Sequence, residues 1–125
     1  MKVLIEISIV TVVIFVIHYL FPVIQICGDS MHPTYRDGEI LVGTRLFRVS
    51  NLKKNDVIIY ICPTDGRNVV KRIADITPQY NGEDLLFYCL GDNSDHSYDS
   101  RAYGYISSKR IVCRLIKQRR NNRCM

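Results

Sequence analysis

One stretch limits what this chain can become. From residue 3 to residue 26 the only side chains that can carry charge near neutral pH are Glu6 and His18. As a helix, that run of 24 residues would measure about 36 Å, against a hydrocarbon core of roughly 30 Å. The competing reading is a buried core helix, and the run's β-branched, nearly all-round apolar character argues against it. A cleavable leader has an apolar region of about 7–15 residues followed by small residues before the cut. Here Val23-Ile24-Gln25-Ile26 offers no small pair, and the bulky residues before Cys27 do not form a lipobox. The run is expected to be a retained single-pass anchor. Charge leaves its orientation close to a tie, with Lys2 and the terminal amine on one side and Arg36 and Arg45 on the other.

In a chain of 125 residues, an anchor at 1–26 leaves room for one small working domain at 27–116 and no second core. From Tyr35 onward the pattern changes to strand and turn. Strands are expected at 39–47 with a bulge at Gly43, at 56–62 as a buried apolar run, at 68–76, at 84–90 and at 105–116. Turns such as Pro63-Thr64-Asp65-Gly66 separate them. Five or six closely spaced strands and no clear soluble helix predict a mainly β fold, a small β-barrel domain preceded by one transmembrane helix.

Charge is uneven. Lys109, Arg110, Arg114, Lys117, Arg119, Arg120 and Arg123 follow Ser108 with no acid among them, so the net +5 is a property of the C-terminal end. A basic tail at 117–125 can meet anionic lipid headgroups or nucleic acid. It reads best as a solvated end, and the expected partners are membrane lipid and peptide substrate, with no nucleic acid. Five cysteines form no C-x-x-C pair and stand beside no His at metal-ligand spacing, so neither a zinc site nor a disulfide framework is indicated.

The chemistry centres on Gly28-Asp29-Ser30-Met31-His32-Pro33-Thr34. Gly28 lets backbone and substrate approach closely, Pro33 stiffens the exit, and Thr34 can close a local turn. A serine hydroxyl is a weak nucleophile and needs a neighbouring base. His18 lies in the anchor, His32 is two residues from Ser30, and His96 sits in the polar loop 91–104. A desolvated lysine can serve instead, because burial disfavours the ammonium. Lys71 shares a strand face with Val69 and Ile73, while Arg72, flanked by Val70 and Ala74, is the other inward candidate by period-2 logic. Asp92, Asn93 and Asp95 could also supply oxygens to calcium, but their spacing does not match an EF-hand.

Three segments carry a resemblance. Ser30-Met31-His32-Pro33-Thr34 resembles the Ser-Met-x-Pro-Thr nucleophile motif of bacterial type I signal peptidases. Val70-Lys71-Arg72-Ile73 resembles that family's lysine motif. Gly91-Asp92-Asn93-Ser94-Asp95-His96-Ser97-Tyr98-Asp99-Ser100-Arg101 resembles its third motif, Gly-Asp-Asn-x-x-x-Ser-x-Asp-Ser-Arg, in the same order along the chain. The resemblance implies that Ser30 attacks the scissile carbonyl, that Lys71 is the general base, and that Ser97 orients the lysine amine. It implies an Asp99–Arg101 ion pair bracing the loop, and a Ser30 backbone N–H donating to the oxyanion. Departures are visible too. Gly28 stands where some members carry a helpful hydroxyl, Ser94 replaces an arginine, and Ala74-Asp75-Ile76-Thr77-Pro78 replaces a Gly-Leu-Pro-Gly-Asp segment.

The implied activity is removal of signal peptides from exported preproteins by a Ser-Lys dyad on the outer face of a cell membrane. Small residues, often Ala, would be taken at the first and third positions before the cut. The substrate would add as a β-strand between the segment before Ser30 (Gly28, Asp29, with Met31 beyond) and Asn68, Val69 and Val70. No metal or organic cofactor is implied. A repressor-type self-cleaving Ser-Lys protease shares the dyad, but would carry a DNA-binding domain or cleavable arm where this chain has its apolar run. An inactive, membrane-tethered β-domain that binds peptides or an active peptidase is the non-enzyme rival. A Ser-to-Ala or Lys-to-Arg replacement would favour it, and both residues are intact.

Overall fold

The computed structural model describes residues 1–116; the basic tail expected at 117–125 lies outside the described residues. The apolar run begins as helix α1 (Lys2–Leu20), with no residue buried against the domain. At 19 residues it is about 28 Å long, close to the thickness of a hydrocarbon core. Its two aliphatic hydroxyls are turned inward: Ser8 donates to Leu4 O and Thr11 to Ile7 O, both at 2.8 Å. That satisfies them within the helix and leaves the surface from Ile7 to Ile17 apolar. The helix stops six residues before the apolar run does. Pro22 has no N–H to continue it and biases Phe21 toward extended backbone, and Phe21 has φ −126°. Residues expected to finish the anchor instead form strand β1 (Val23–Gln25).

The rest is a mainly β domain preceded by that single helix, as expected. Its other strands are β2 (Ile40–Thr44), β3 (Val57–Ile61), β4 (Asn68–Pro78), β5 (Leu85–Leu90), β6 (Ile106–Ser107) and β7 (Ile111–Leu115). They pair antiparallel in the order β1-β2-β7-β3-β4-β5-β6. β3 explains its own continuous apolar sequence, because both its faces are covered. Val57 and Ile59 join one core with Ile26, Met31, Leu41 and Leu115. Ile58 and Tyr60 join a second with Leu52, Ile73, Phe87 and Ile106.

Two expectations about strands change. Gly43 pairs in regular register with Leu115 and makes no bulge. A Cβ there would lie 2.9 Å from both Cys113 Sγ and Ile24 Cδ1, so the missing side chain serves close packing. The bulges fall instead at Ile59/Tyr60 and at Ile73/Asp75. The single strand expected at 105–116 is divided into β6 and β7 by a turn at Ser108–Arg110. The Ser107 and Ser108 hydroxyls both donate to Asp84, which pins the chain at β5 before it crosses to β7.

Candidate active site

Ser30 sits in a loop closed at its neck by backbone bonds, Ile26 N to Glu39 O at 2.9 Å and Gly38 N to Ile26 O at 2.7 Å. Within the loop Gly28 N donates to Asp37 Oδ1 at 2.8 Å, His32 N to Asp29 O at 3.0 Å, and Tyr35 N to Met31 O at 2.9 Å. Met31, only 1% exposed, anchors the loop in the first core. Gly28 has φ +86°, a backbone that side-chain-bearing residues rarely adopt.

The inward residue of β4 is lysine. Lys71 is 4% exposed, between Val69 and Ile73, and its Nζ donates to Ser30 Oγ at 2.7 Å. That hydroxyl is the amine's one hydrogen-bond partner among the described residues. Burial pushes the Lys71 amine below the ordinary lysine value; the Asp99 carboxylate opposes this and the Arg101 guanidinium adds to it. Arg72 faces the other way. Its guanidinium grips Asp92 through two bonds of 2.8 Å and also donates to Asn55 O at 2.9 Å. His32 and His96 are both exposed, and neither imidazole is bonded to Ser30.

The loop after β5 packs behind the pair. Asp99, with a fully buried side chain, accepts from Gly91 N–H, from the Ser97 hydroxyl, and from Arg101 through its backbone N–H, Nε and Nη2. Burial alone would raise the Asp99 carboxyl, but these bonds outweigh it and hold the carboxyl well below the usual carboxylate range. The Asp99–Arg101 pair is thus present, at 2.8 Å. Ser97 is turned to Asp99 at 2.7 Å and makes no hydrogen bond to Lys71. Gly91 is where the loops touch. A Cβ there would lie 2.1 Å from Ser97 Oγ and 2.6 Å from Ser30 O. Asp99 also caps the short helix α2 (Ser100–Tyr103) by accepting from Arg101 N.

Ser30 and Lys71 open into a cleft of about 420 Å³ whose walls include Val23–Gln25, Met31, Ile59 and Asn68–Val70. Both long walls are unpaired strand edges. Among the described residues, β1 ends the sheet and pairs only with β2, and β4 acquires β5 only from Arg72 onward. Of the expected substrate contacts, Met31, Asn68, Val69 and Val70 line this cleft; Gly28 and Asp29 lie exposed beside it. A larger opening of about 890 Å³, bordered by Thr34, Lys53, Arg72 and Arg114, contains neither Ser30 nor Lys71.

Sequence reasoning missed two features. The Arg72–Asp92 pair ties the lysine strand to the third motif, and Arg45 closes over α1. Arg45 donates to Tyr19 O and stacks its guanidinium 4.6 Å above the Tyr19 ring. The first was signalled by two opposite charges without a role inside recognised motifs; the second had no local signal. Cys27, Cys62, Cys89 and Cys113 are free thiols.

Residues 2–80, which include Ser30 and Lys71, match the family described as "Signal peptidase, peptidase S26". Over 134 residues the chain is 30% identical to mitochondrial inner membrane protease subunit 2 of Saccharomyces cerevisiae, an alignment covering 90% of this chain and 76% of that relative.

Proposed function

This chain belongs to the signal peptidase family, peptidase S26, and on that premise we propose that it is a membrane-anchored endopeptidase. It removes N-terminal signal peptides from exported preproteins with Ser30 as nucleophile and Lys71 as general base. The observation that carries this reading is the 2.7 Å contact between Ser30 Oγ and the amine of a lysine that is 4% exposed. A desolvated lysine whose ammonium is disfavoured can be neutral and accept a proton.

As Ser30 Oγ bonds to the scissile carbonyl carbon, its proton passes to Lys71 and negative charge develops on the carbonyl oxygen. The Ser30 backbone N–H donates to that oxygen. Collapse expels the new N-terminus of the mature protein, which takes the proton from Lys71. The signal peptide remains esterified to Ser30 until a water, deprotonated by Lys71, releases it. The two unpaired edges at the cleft support binding of the substrate as an added strand, with backbone bonds to β1 and to Asn68–Val70. Ser97, Asp99 and Arg101 hold the loop behind the amine and do not touch the reacting atoms.

The yeast relative is by name one subunit of a protease; the dyad within this chain supports activity in the chain itself. α1 anchors it, with the domain on the face where exported chains emerge. The test is incubation of the detergent-solubilised full chain with a preprotein whose signal peptide ends in Ala-x-Ala. The native chain is expected to cut after the second Ala, and Ser30→Ala and Lys71→Met are expected not to cut. Cleavage by Ser30→Ala at the native rate would overturn the nucleophile assignment.

A further inference from the structure

Asn93 reaches the nucleophile loop twice. Its side-chain Nδ2 donates to Asp29 O at 3.0 Å and its backbone N–H to Ser30 O at 2.9 Å. Those two carbonyls belong to the successive peptide units on either side of the Ser30 Cα. In a planar trans unit the C=O and N–H point in opposite directions, and the Asp29–Ser30 bond is not cis. Holding Asp29 O toward Asn93 therefore turns the Ser30 N–H to the far side, where it donates to nothing among the described residues. Asn93 is itself held from behind. Asp92 is gripped by Arg72, Gly91 N–H is bonded to Asp99, and Asn93 O accepts from His96 N at 3.0 Å.

We infer that Asn93 is the positioning residue of the oxyanion site, fixing the plane of the Asp29–Ser30 peptide and polarising its N–H. This rests on the reading of Ser30 as nucleophile. A hydrogen bond accepted at a peptide oxygen strengthens the donor at the nitrogen of the same unit. Gly28 offers no hydroxyl, so the Ser30 N–H carries a larger share of the charge stabilisation. Asp29 O also accepts from His32 N at 3.0 Å, so losing Asn93 Nδ2 loosens the peptide without freeing it. The expected loss is about tenfold, below the roughly 100- to 1,000-fold of deleting an oxyanion donor outright.

The experiment compares the native full-length chain with Asn93→Ala and with the isosteric Asn93→Asp, which keeps the loop's volume should alanine fail to fold. Measured are kcat, KM, melting temperature, and affinity for a substrate-derived peptide boronate and for a reduced-amide peptide of the same sequence. The boronate forms a tetrahedral adduct with an oxyanion-like oxygen; the reduced amide cannot. Both variants should lose about tenfold in kcat, with KM and reduced-amide affinity nearly unchanged. Boronate affinity should fall by the same factor as kcat/KM. Asn93→Asp should be no faster than alanine, because a carboxylate has no donor. Unchanged kcat, or equal losses of affinity for both ligands together with melting temperature, would overturn the inference. Native-level cleavage by Ser30→Ala would instead overturn the reading beneath it.

Discussion

Lys71 is placed where an ammonium is least favourable, nearly inaccessible and with one hydroxyl as partner. Below its depressed pKa both folded and unfolded chains carry the proton, and above about 10.4 neither does. Between those limits the unfolded chain binds more protons, so stability rises with pH. Urea unfolding of the native chain from pH 7 to about 10 should show that rise. Lys71→Met should flatten it and melt a few degrees higher at pH 7, while losing activity. The native kcat/KM should climb through one ionisation below about 10.4, and Lys71→Arg should be inactive because guanidinium stays protonated. The neighbours tune that limb in opposite senses. Asp99 raises the Lys71 value and Arg101 lowers it, so Asp99→Asn should move the limb to lower pH and Arg101→Met to higher pH. Arg72, whose charge is matched by Asp92, plays no such part, contrary to the slight repulsion its proximity in sequence suggests. The Asp99 carboxyl has its own signature. Its depressed pKa contributes stability that is present above about pH 4 and lost as pH falls through the folded value. Asp99→Asn should erase that acid-side dependence and cost about 1–3 kcal/mol in melts, from buried donors left short of an acceptor.

At the scale of elements, the junction between α1 and β1 decides how the apolar helix joins the domain. Pro22 ends the helix, Arg45 N donates to Leu20 O at 2.9 Å, and the Arg45 side chain closes over Tyr19. Because Arg45 and β1 also line the cleft that holds Ser30 and Lys71, that cleft stands directly beside the end of α1. Under the proposed function, that proximity suits a bond cut close to a membrane-inserted signal peptide. The N-terminus should lie on the side from which preproteins are exported and the domain on the side where they emerge. Protease added to wall-stripped cells or mitoplasts of an expressing strain should digest residues from Cys27 onward. Full protection until lysis would reverse the orientation and remove the domain from its substrates.

For the whole molecule, the sheet is interrupted where Ser30 and Lys71 meet. Leaving β1 without a second neighbour, and residues 68–71 without β5, makes two donor and acceptor rows that face one cleft. A bound peptide would complete the sheet, so its affinity should depend on main-chain bonds. Substrate-derived inhibitors with a single N-methylated amide at strand-pairing positions should weaken by about fivefold each, the equivalent of about 1 kcal/mol per lost bond. Successive amides of a strand held between two edges alternate between β1 and β4, so methylation at successive positions within the cleft should each weaken binding, and unchanged affinity at all of them would exclude strand addition.

The apolar run, the mainly β domain, and the serine, lysine and Ser-x-Asp-Ser-Arg motifs were all readable from the chain, because each is written in neighbouring residues or in a short period. The limit of the helix was readable only in principle, since Pro22 is a local stop signal inside a composition that points past it. Which of Lys71 and Arg72 turns inward was not decided locally. β3 and β4 are covered on both faces there, with Val70 packed into one core and Val69 into the other, so alternation loses its polarity. Folding alone brought Lys71 to Ser30 across 41 residues, Arg72 to Asp92 across 20, and Asn93 to Asp29 across 64. Ser97, by contrast, has a local partner, since the Asp99 carboxylate two residues on accepts from its hydroxyl. Sequence patterns report which face of an element is apolar; partners distant along the chain are selected by which buried polar groups the packed sheet leaves within bonding reach.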